Sequence, residues 1–207
     1  GNDALLITGA RQIGKTYLIR ECLEKSKIPY IELNFIEQPE LVELFAGAKD
    51  TEDLLMRLSL VSSKKLEKGK TIIFLDEIQK VTSFEKVVDS LHVKENIDIY
   101  ITGSNAYMLS GDLATLLTGR YVEISMLPLS FKEYVEITGI LKEQAFSEYM
   151  KTGGFPYIAV MDRTDEKVEI YLEGIYNTVI VRDIEDRQSR KEMNCGKRKI
   201  TDITLLK

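Results

Sequence analysis

Gly9 and Gly14 bracket four residues and are followed directly by Lys15 and Thr16, which fills the pattern G-x-x-x-x-G-K-[ST]. The spacing suits a phosphate cradle. Glycines let backbone N–H groups turn inward around an anion, and a helix that starts at the second glycine adds the positive end of its dipole. Lys15 would reach the β- and γ-phosphates, and Thr16 would offer its hydroxyl to Mg²⁺. The stretch expected to line the nucleotide is Gly9, Ala10, Arg11, Gln12, Ile13, Gly14, Lys15, Thr16 and Tyr17. Arg11 and Gln12 either contact phosphate or point to solvent.

Three further pieces could complete a hydrolytic site. "TIIFLDEIQ" ends an apolar run in Asp76-Glu77, which is how a buried central strand delivers carboxylates to the phosphate end of a sheet. Asp76 would hold the Mg²⁺ shell through water, and Glu77 would polarise the water that attacks the γ-phosphorus. "IYITGSN" ends in Ser104-Asn105, where a small polar side chain could hydrogen-bond the γ-phosphate or that water; a plain turn rich in Gly, Ser and Asn is the competing reading. Arg120, in "LLTGRYVEI", is either an arginine finger for its own or a neighbouring subunit, or a surface or structural arginine.

Such residues need a scaffold. "ALLIT" (4–8), "YIELNF" (30–35), "TIIFLD" (71–76), "IDIYIT" (97–102) and "YVEIS" (121–125) read as five short strands. Between them, Leu18, Ile19, Cys22 and Leu23, then Leu54, Leu55, Leu58 and Val61, then Phe84, Val87, Val88 and Leu91 fall on single helical faces. Thr82 with Glu85 and Ser130 with Glu133 have capping-box spacing. The alternation predicts an α/β protein with a mainly parallel sheet covered by helices on both faces, a three-layer arrangement. Beyond 140 the strand signal fades. A helix should stop at Gly153-Gly154, and Val168, Tyr171, Leu172, Ile175, Tyr176, Val179 and Ile180 predict a long amphipathic helix over about 166–185.

Composition narrows the partners. At 207 residues the chain suits one sizeable domain with a smaller appendage. A net charge of −5 argues against a protein that coats nucleic acid without specificity. The dense basic stretch Arg187, Arg190, Lys191, Lys197, Arg198 and Lys199 has no interleaved aromatics for base stacking, so DNA contact is weakly supported. Cys22 and Cys195 are too few and too distant for a metal cluster or disulfide framework, and the lone His92 reads as structural or solvent-facing. Neither a membrane helix nor a signal core is present in the sequence, which makes a cytoplasmic location the default expectation. The absence of N-K-x-D and T-K-x-D disfavours a GTPase.

Together, "GARQIGKT", "FLDEIQ", "ITGSN" and "LLTGRYVEISMLPLSFKEY", with "GGFP" at 153–156 and "VIVRDIEDR" at 179–187, resemble a family of AAA-type P-loop ATPases of bacteria and archaea. The resemblance implies an AAA+-like P-loop NTPase core with sheet order 5-1-4-3-2, then a helical segment, then a C-terminal domain related in fold to restriction endonucleases. By it, Gly9 to Thr16 is the Walker A loop, Asp76 and Glu77 are the Walker B pair, Asn105 is the sensor residue, and Arg120 falls where the family has its "GR" pair. The expected division is an ATPase core over 1–135, a helical lid or linker over 136–186, and over 187–207 a basic linker leading into a truncated C-terminal domain. The function expected is Mg²⁺-dependent ATP binding and hydrolysis that moves the protein's own C-terminal domain, with ADP as product and a protein partner or homo-oligomer as possible company. The alternative is a nucleotide-dependent switch that recruits protein or DNA with little turnover.

Overall fold

The computed structural model describes residues 4–48, 50–62, 66–67, 69–81, 84–94, 97–104 and 121–181. The chain divides into two compact units, Gly1–Pro128 and Leu129–Lys207. That division falls just before the capping box of Ser130 and Glu133.

The first unit is built on strands β1 (Ala4–Thr8), β2 (Tyr30–Asn34), β3 (Ile72–Asp76), β4 (Asp98–Gly103) and β5 (Tyr121–Ser125). Every pairing is parallel, in the order β2-β3-β4-β1-β5, which is the expected 5-1-4-3-2 read from the other edge. Successive strand residues face opposite sides of the sheet. Leu6, Ile31, Leu33, Ile73, Leu75, Ile99 and Ile101 therefore pack on one side with Leu41 and Phe45 of α2 (Glu40–Ala46) and with Leu54 and Leu58 of α3 (Thr51–Val61). Phe84 and Val88 of α4 (Phe84–Asp89) join the same core. Ile7, Ile72 and Phe74 pack on the other side against Ile19 and Leu23 of α1 (Lys15–Ser26).

The buried stripe of α1 is Lys15, Ile19 and Leu23, while Leu18 and Cys22 are exposed. The helix is rotated from the expected face because the i, i+4, i+8 row that meets the sheet begins at Lys15. The residues that anchor α1 thus also point its first side chain inward. α2, with Leu41 and Phe45 as its buried residues, is too short to give a recognisable stripe and had no counterpart in the sequence reading. Strand β2 stops at Asn34 rather than Phe35, because Asn34 Oδ1 accepts from Ile36 N at 3.0 Å and Glu37 N at 2.9 Å and turns the chain. His92 is buried in a π-helical turn, Ser90–Lys94, and its Nδ1 lies 3.2 Å from Ile97 O, a structural role.

The second unit is helical. Helix α5 (Phe131–Thr138) opens with the expected capping box: Ser130 Oγ accepts from Glu133 N at 3.3 Å, and Glu133 Oε2 accepts from Ser130 N at 2.8 Å. Helix α6 (Lys142–Thr152) ends at Gly153, whose φ of 71° suits glycine, and α7 (Pro156–Val160) and α8 (Asp165–Ile175) follow. Tyr134, Ala145 and Ala159 form its small core, with Phe131 and Tyr149 edge-on to their aromatic neighbours. The single long helix expected over 166–185 is corrected: α-helix ends at Ile175 and a π-helical segment, Tyr176–Val181, continues it. Gly174 lies at the junction, and Thr178 Oγ1 donates to Gly174 O at 2.6 Å, competing for a carbonyl near the change of pitch. Thr82, Cys195 and residues from 182 onward, the basic stretch among them, lie outside the described residues.

Candidate active site

In a parallel sheet, ligands gather at the carboxyl ends of the strands. Here the ends of β1, β2, β3 and β4 bring together the phosphate-loop pattern, Asn34, Asp76-Glu77 and Thr102-Ser104. The loop leaves β1 with Gly9 at φ 140° and passes Gln12 at φ 61° before entering α1 through Gly14 at φ 90°. A Cβ on Gly9 would stand 2.3 Å from Met126 O and 2.7 Å from Ile13 Cδ1, so glycine is required for space as well as conformation. Ile13 is buried as the floor of the loop, not as a polar contact.

Lys15 is only 5% exposed. A buried ammonium needs acceptors; Lys15 Nζ donates to Gly9 O at 3.1 Å and Ala10 O at 2.7 Å, and it lies 3.9 Å from Glu77 Oε1. The first side chain of α1 therefore sits in the mouth of the loop. Gly14 supplies no side-chain cap, and the first turn of α1 carries no acidic residue. The positive end of its dipole favours an anion at this end, and the loop fits a polyphosphate.

Asp76 is buried at the end of β3 and collects donors from three other elements. Thr16 Oγ1 lies 2.9 Å from its Oδ1 and 3.0 Å from its Oδ2, Asn34 Nδ2 donates to Oδ2 at 2.9 Å, and the Thr102 hydroxyl donates to Oδ1. Burial raises the carboxyl above its ordinary value, opposed by the hydrogen bonds from Thr102 and Thr16 and reinforced by the charges of Glu77 and Glu32. A hydroxyl beside a carboxylate is the hard-oxygen pair that Mg²⁺ takes, with phosphate and water completing its shell. No cluster of three His, Cys, Asp or Glu side chains able to hold a metal occurs among the described residues.

Glu77 follows in left-handed backbone, φ 57° and ψ 44°. Its N–H donates to Thr102 Oγ1 at 3.0 Å, so one threonine ties the Asp76 carboxylate to the Glu77 backbone. Glu77 Oε2 accepts from Ser104 Oγ at 2.9 Å and from the Gln79 amide, while Arg11 Nε donates to Ser104 Oγ at 3.1 Å. Arg11 therefore turns toward the end of β4, Gln12 points outward, and the Tyr17 ring is 70% exposed with its hydroxyl 3.5 Å from Glu21 Oε1. Asn105 and Arg120 lie outside the described residues. Asn34, Thr102 and Gln79 were not singled out in the sequence. The signal that could have found the first two is a polar residue closing an otherwise apolar strand, as in "YIELN" and "IYIT".

This sheet and this loop define a P-loop nucleotide-binding protein with an AAA+-like core. Residues 1–135 match the family model described as an AAA domain, more than half of the chain, and the chain belongs to that family. It is similar to an uncharacterized protein of Haemophilus influenzae, 39% identical over 90% of this chain and 47% of the relative. It is also similar to an uncharacterized protein of Methanocaldococcus jannaschii, 34% identical over 91% of this chain and 43% of the relative. The chain thus spans less than half the length of these curated relatives. Among solved structures, two point variants of Thermotoga maritima RuvB superpose with a TM-score of 0.52 each, at 17% and 16% identity. They cover 76% and 84% of this chain, and 52% and 62% of theirs; likeness at this identity concerns the fold. No helix among the described residues is long and apolar enough to cross a membrane.

Proposed function

We propose that this chain is the motor portion of an Mg²⁺-dependent ATPase, in which hydrolysis of ATP to ADP and phosphate changes the disposition of a C-terminal domain of the same protein. The observation that carries the reading is the meeting of Lys15, Thr16, Asp76 and Glu77 at one end of the sheet, with Thr16 on Asp76 and Lys15 3.9 Å from Glu77. In this reading the Gly9–Gly14 backbone and the start of α1 bind the phosphates, and Lys15 exchanges its loop carbonyls for phosphate oxygens. Thr16 would offer its hydroxyl to Mg²⁺, and Asp76 would hold the ion's shell through water. When bound, the cation neutralises charge on the transferred phosphoryl group. Glu77 orients the attacking water and accepts its proton. Asn105 as a sensor of the γ-phosphate and Arg120 as a finger acting in cis or in trans belong to the same proposal.

The curated relatives leave room for such a domain, since more than half of their length has no counterpart here. Fluorescent-nucleotide binding and phosphate release, measured on the wild type, Lys15→Ala and Glu77→Gln, test the reading. Binding lost in Lys15→Ala and turnover lost with binding kept in Glu77→Gln are the expected pair; unchanged binding in Lys15→Ala would sink the pocket assignment.

A further inference from the structure

Gln79 lies two residues beyond Glu77, in the 3-10 turn Ile78–Lys80, and its amide returns to the carboxylate it has just passed. Its Nε2 donates to Glu77 Oε2 and lies 3.2 Å from Ser104 Oγ, whose own proton goes to that same Glu77 oxygen at 2.9 Å. Arg11 Nε donates to Ser104 at 3.1 Å, so a line of donors runs from the phosphate loop to the carboxylate.

Two features set this apart from a casual surface contact. The return of the Gln79 amide requires the left-handed backbone at Glu77, φ 57°, which a residue with a Cβ adopts only when its surroundings impose it. In addition, Gln79 Oε1 is buried and has no hydrogen-bond partner among the described residues. Turning the amide over would set its oxygen against the Glu77 carboxylate, so the protein tolerates an unsatisfied oxygen to keep the NH₂ group where it is. As a result the two carboxylate oxygens differ. Oε2 is gripped by two donors, and Oε1 faces Lys15 in the mouth of the loop.

We propose that Gln79 is a positioning residue: with Ser104 it anchors Oε2 of Glu77 so that Oε1 is presented to the water attacking a nucleotide on the phosphate loop, and Arg11 ties that anchor to the loop. The inference rests on the hydrolytic reading above. It requires Gln79 to act on turnover through Glu77 and not on nucleotide affinity.

The test measures kcat, KM and ATP affinity for the full chain carrying Gln79→Leu, Gln79→Glu, Ser104→Ala, Ser104→Thr, Glu77→Gln or Glu77→Gln with Gln79→Leu. Gln79→Glu keeps the side chain's shape but replaces the donor with an acceptor, and melting temperatures identify any variant that fails to fold. Gln79→Leu and Gln79→Glu should each lower kcat about tenfold or more, with KM and affinity within about twofold of wild type. Ser104→Ala should fall in the same direction, and Ser104→Thr, which retains the hydroxyl, should recover most of the rate. In the Glu77→Gln background, Gln79→Leu should add no further loss, because the partner it positions is already disabled. Wild-type kcat in both Gln79 variants, a parallel loss of affinity, or a full additional loss in the double variant would overturn the proposal. If wild type turns over no faster than Glu77→Gln, the hydrolytic reading fails and this inference falls with it; if wild type is much faster and the Gln79 variants match it, only the positioning role fails.

Discussion

Thr16 Oγ1 lies within 3.0 Å of both carboxylate oxygens of Asp76, although 60 residues separate them in the chain. The contact joins the first turn of α1 to the end of β3 and is possible because β4 alone lies between β1 and β3 in the sheet. On the proposed reading, this hydroxyl and this buried carboxylate would share one cation.

Lys15 is the first residue on which the proposed binding mode depends. Its ammonium is satisfied by two loop carbonyls, contacts that a phosphate can replace in kind. Lys15→Ala removes a charge-assisted interaction of about 1.5–3 kcal/mol, so ATP affinity should weaken about 10- to 100-fold. Titration with a fluorescent ATP analogue checks this, and the thermal midpoint shows that the loss is not one of folding.

The buried Asp76 makes a prediction about pH. Its carboxyl is raised, first by burial, so the folded chain holds this proton more tightly than the unfolded chain does. The stability linked to it is then fully present below the unfolded value, near 3.8, and is lost as pH climbs through the raised folded value. With chelator present, wild type should lose stability across that window relative to Asp76→Asn, which cannot titrate. Mg²⁺ should oppose the loss by binding the ionised form. Denaturant unfolding of both proteins over a pH series gives the difference directly; a constant difference would show that Asp76 is not strained by burial.

Gly9 offers a test of the loop that does not depend on chemistry. Alanine there must place a methyl group 2.3 Å from the Met126 carbonyl while holding φ at 140°. Backbone opposes it on one side and the Ile13 side chain on the other. Gly9→Ala should lose about 1–3 kcal/mol of stability, and nucleotide affinity with it, because the same peptide forms the cradle. Chemical denaturation and nucleotide titration together check the pair of effects.

Much of this arrangement can be read in the linear chain, for identifiable reasons. Strand β3 carries four apolar residues before Asp76, and a buried strand in a parallel sheet has no other way to look. The phosphate loop is legible because its glycines answer to local backbone geometry, visible at Gly9 and Gly14. What escaped depends on partners distant in sequence. Asn34 falls inside the strand expected over 30–35, with nothing to mark it as a donor to a carboxylate 42 residues later. Nothing in the linear chain marks Gln79, because its amide meets the Glu77 carboxylate only in the folded turn that follows the left-handed backbone at Glu77. The π-helical ends at Ser90–Lys94 and Tyr176–Val181 were hidden too, since apolar stripes tolerate a change of pitch that side-chain hydrogen bonds decide.

On the proposed reading, Glu77 determines whether bound ATP is hydrolysed. Phosphate release under single-turnover conditions, with enzyme in excess over radiolabelled ATP and Mg²⁺ present, compares wild type with Glu77→Gln most directly. Both proteins should bind ATP equally within about twofold, and Glu77→Gln should release phosphate about 100-fold or more slowly, the contribution expected of a general base. Equal rates in the two proteins, with ATP bound in both, would contradict it and would leave the chain a nucleotide-holding switch.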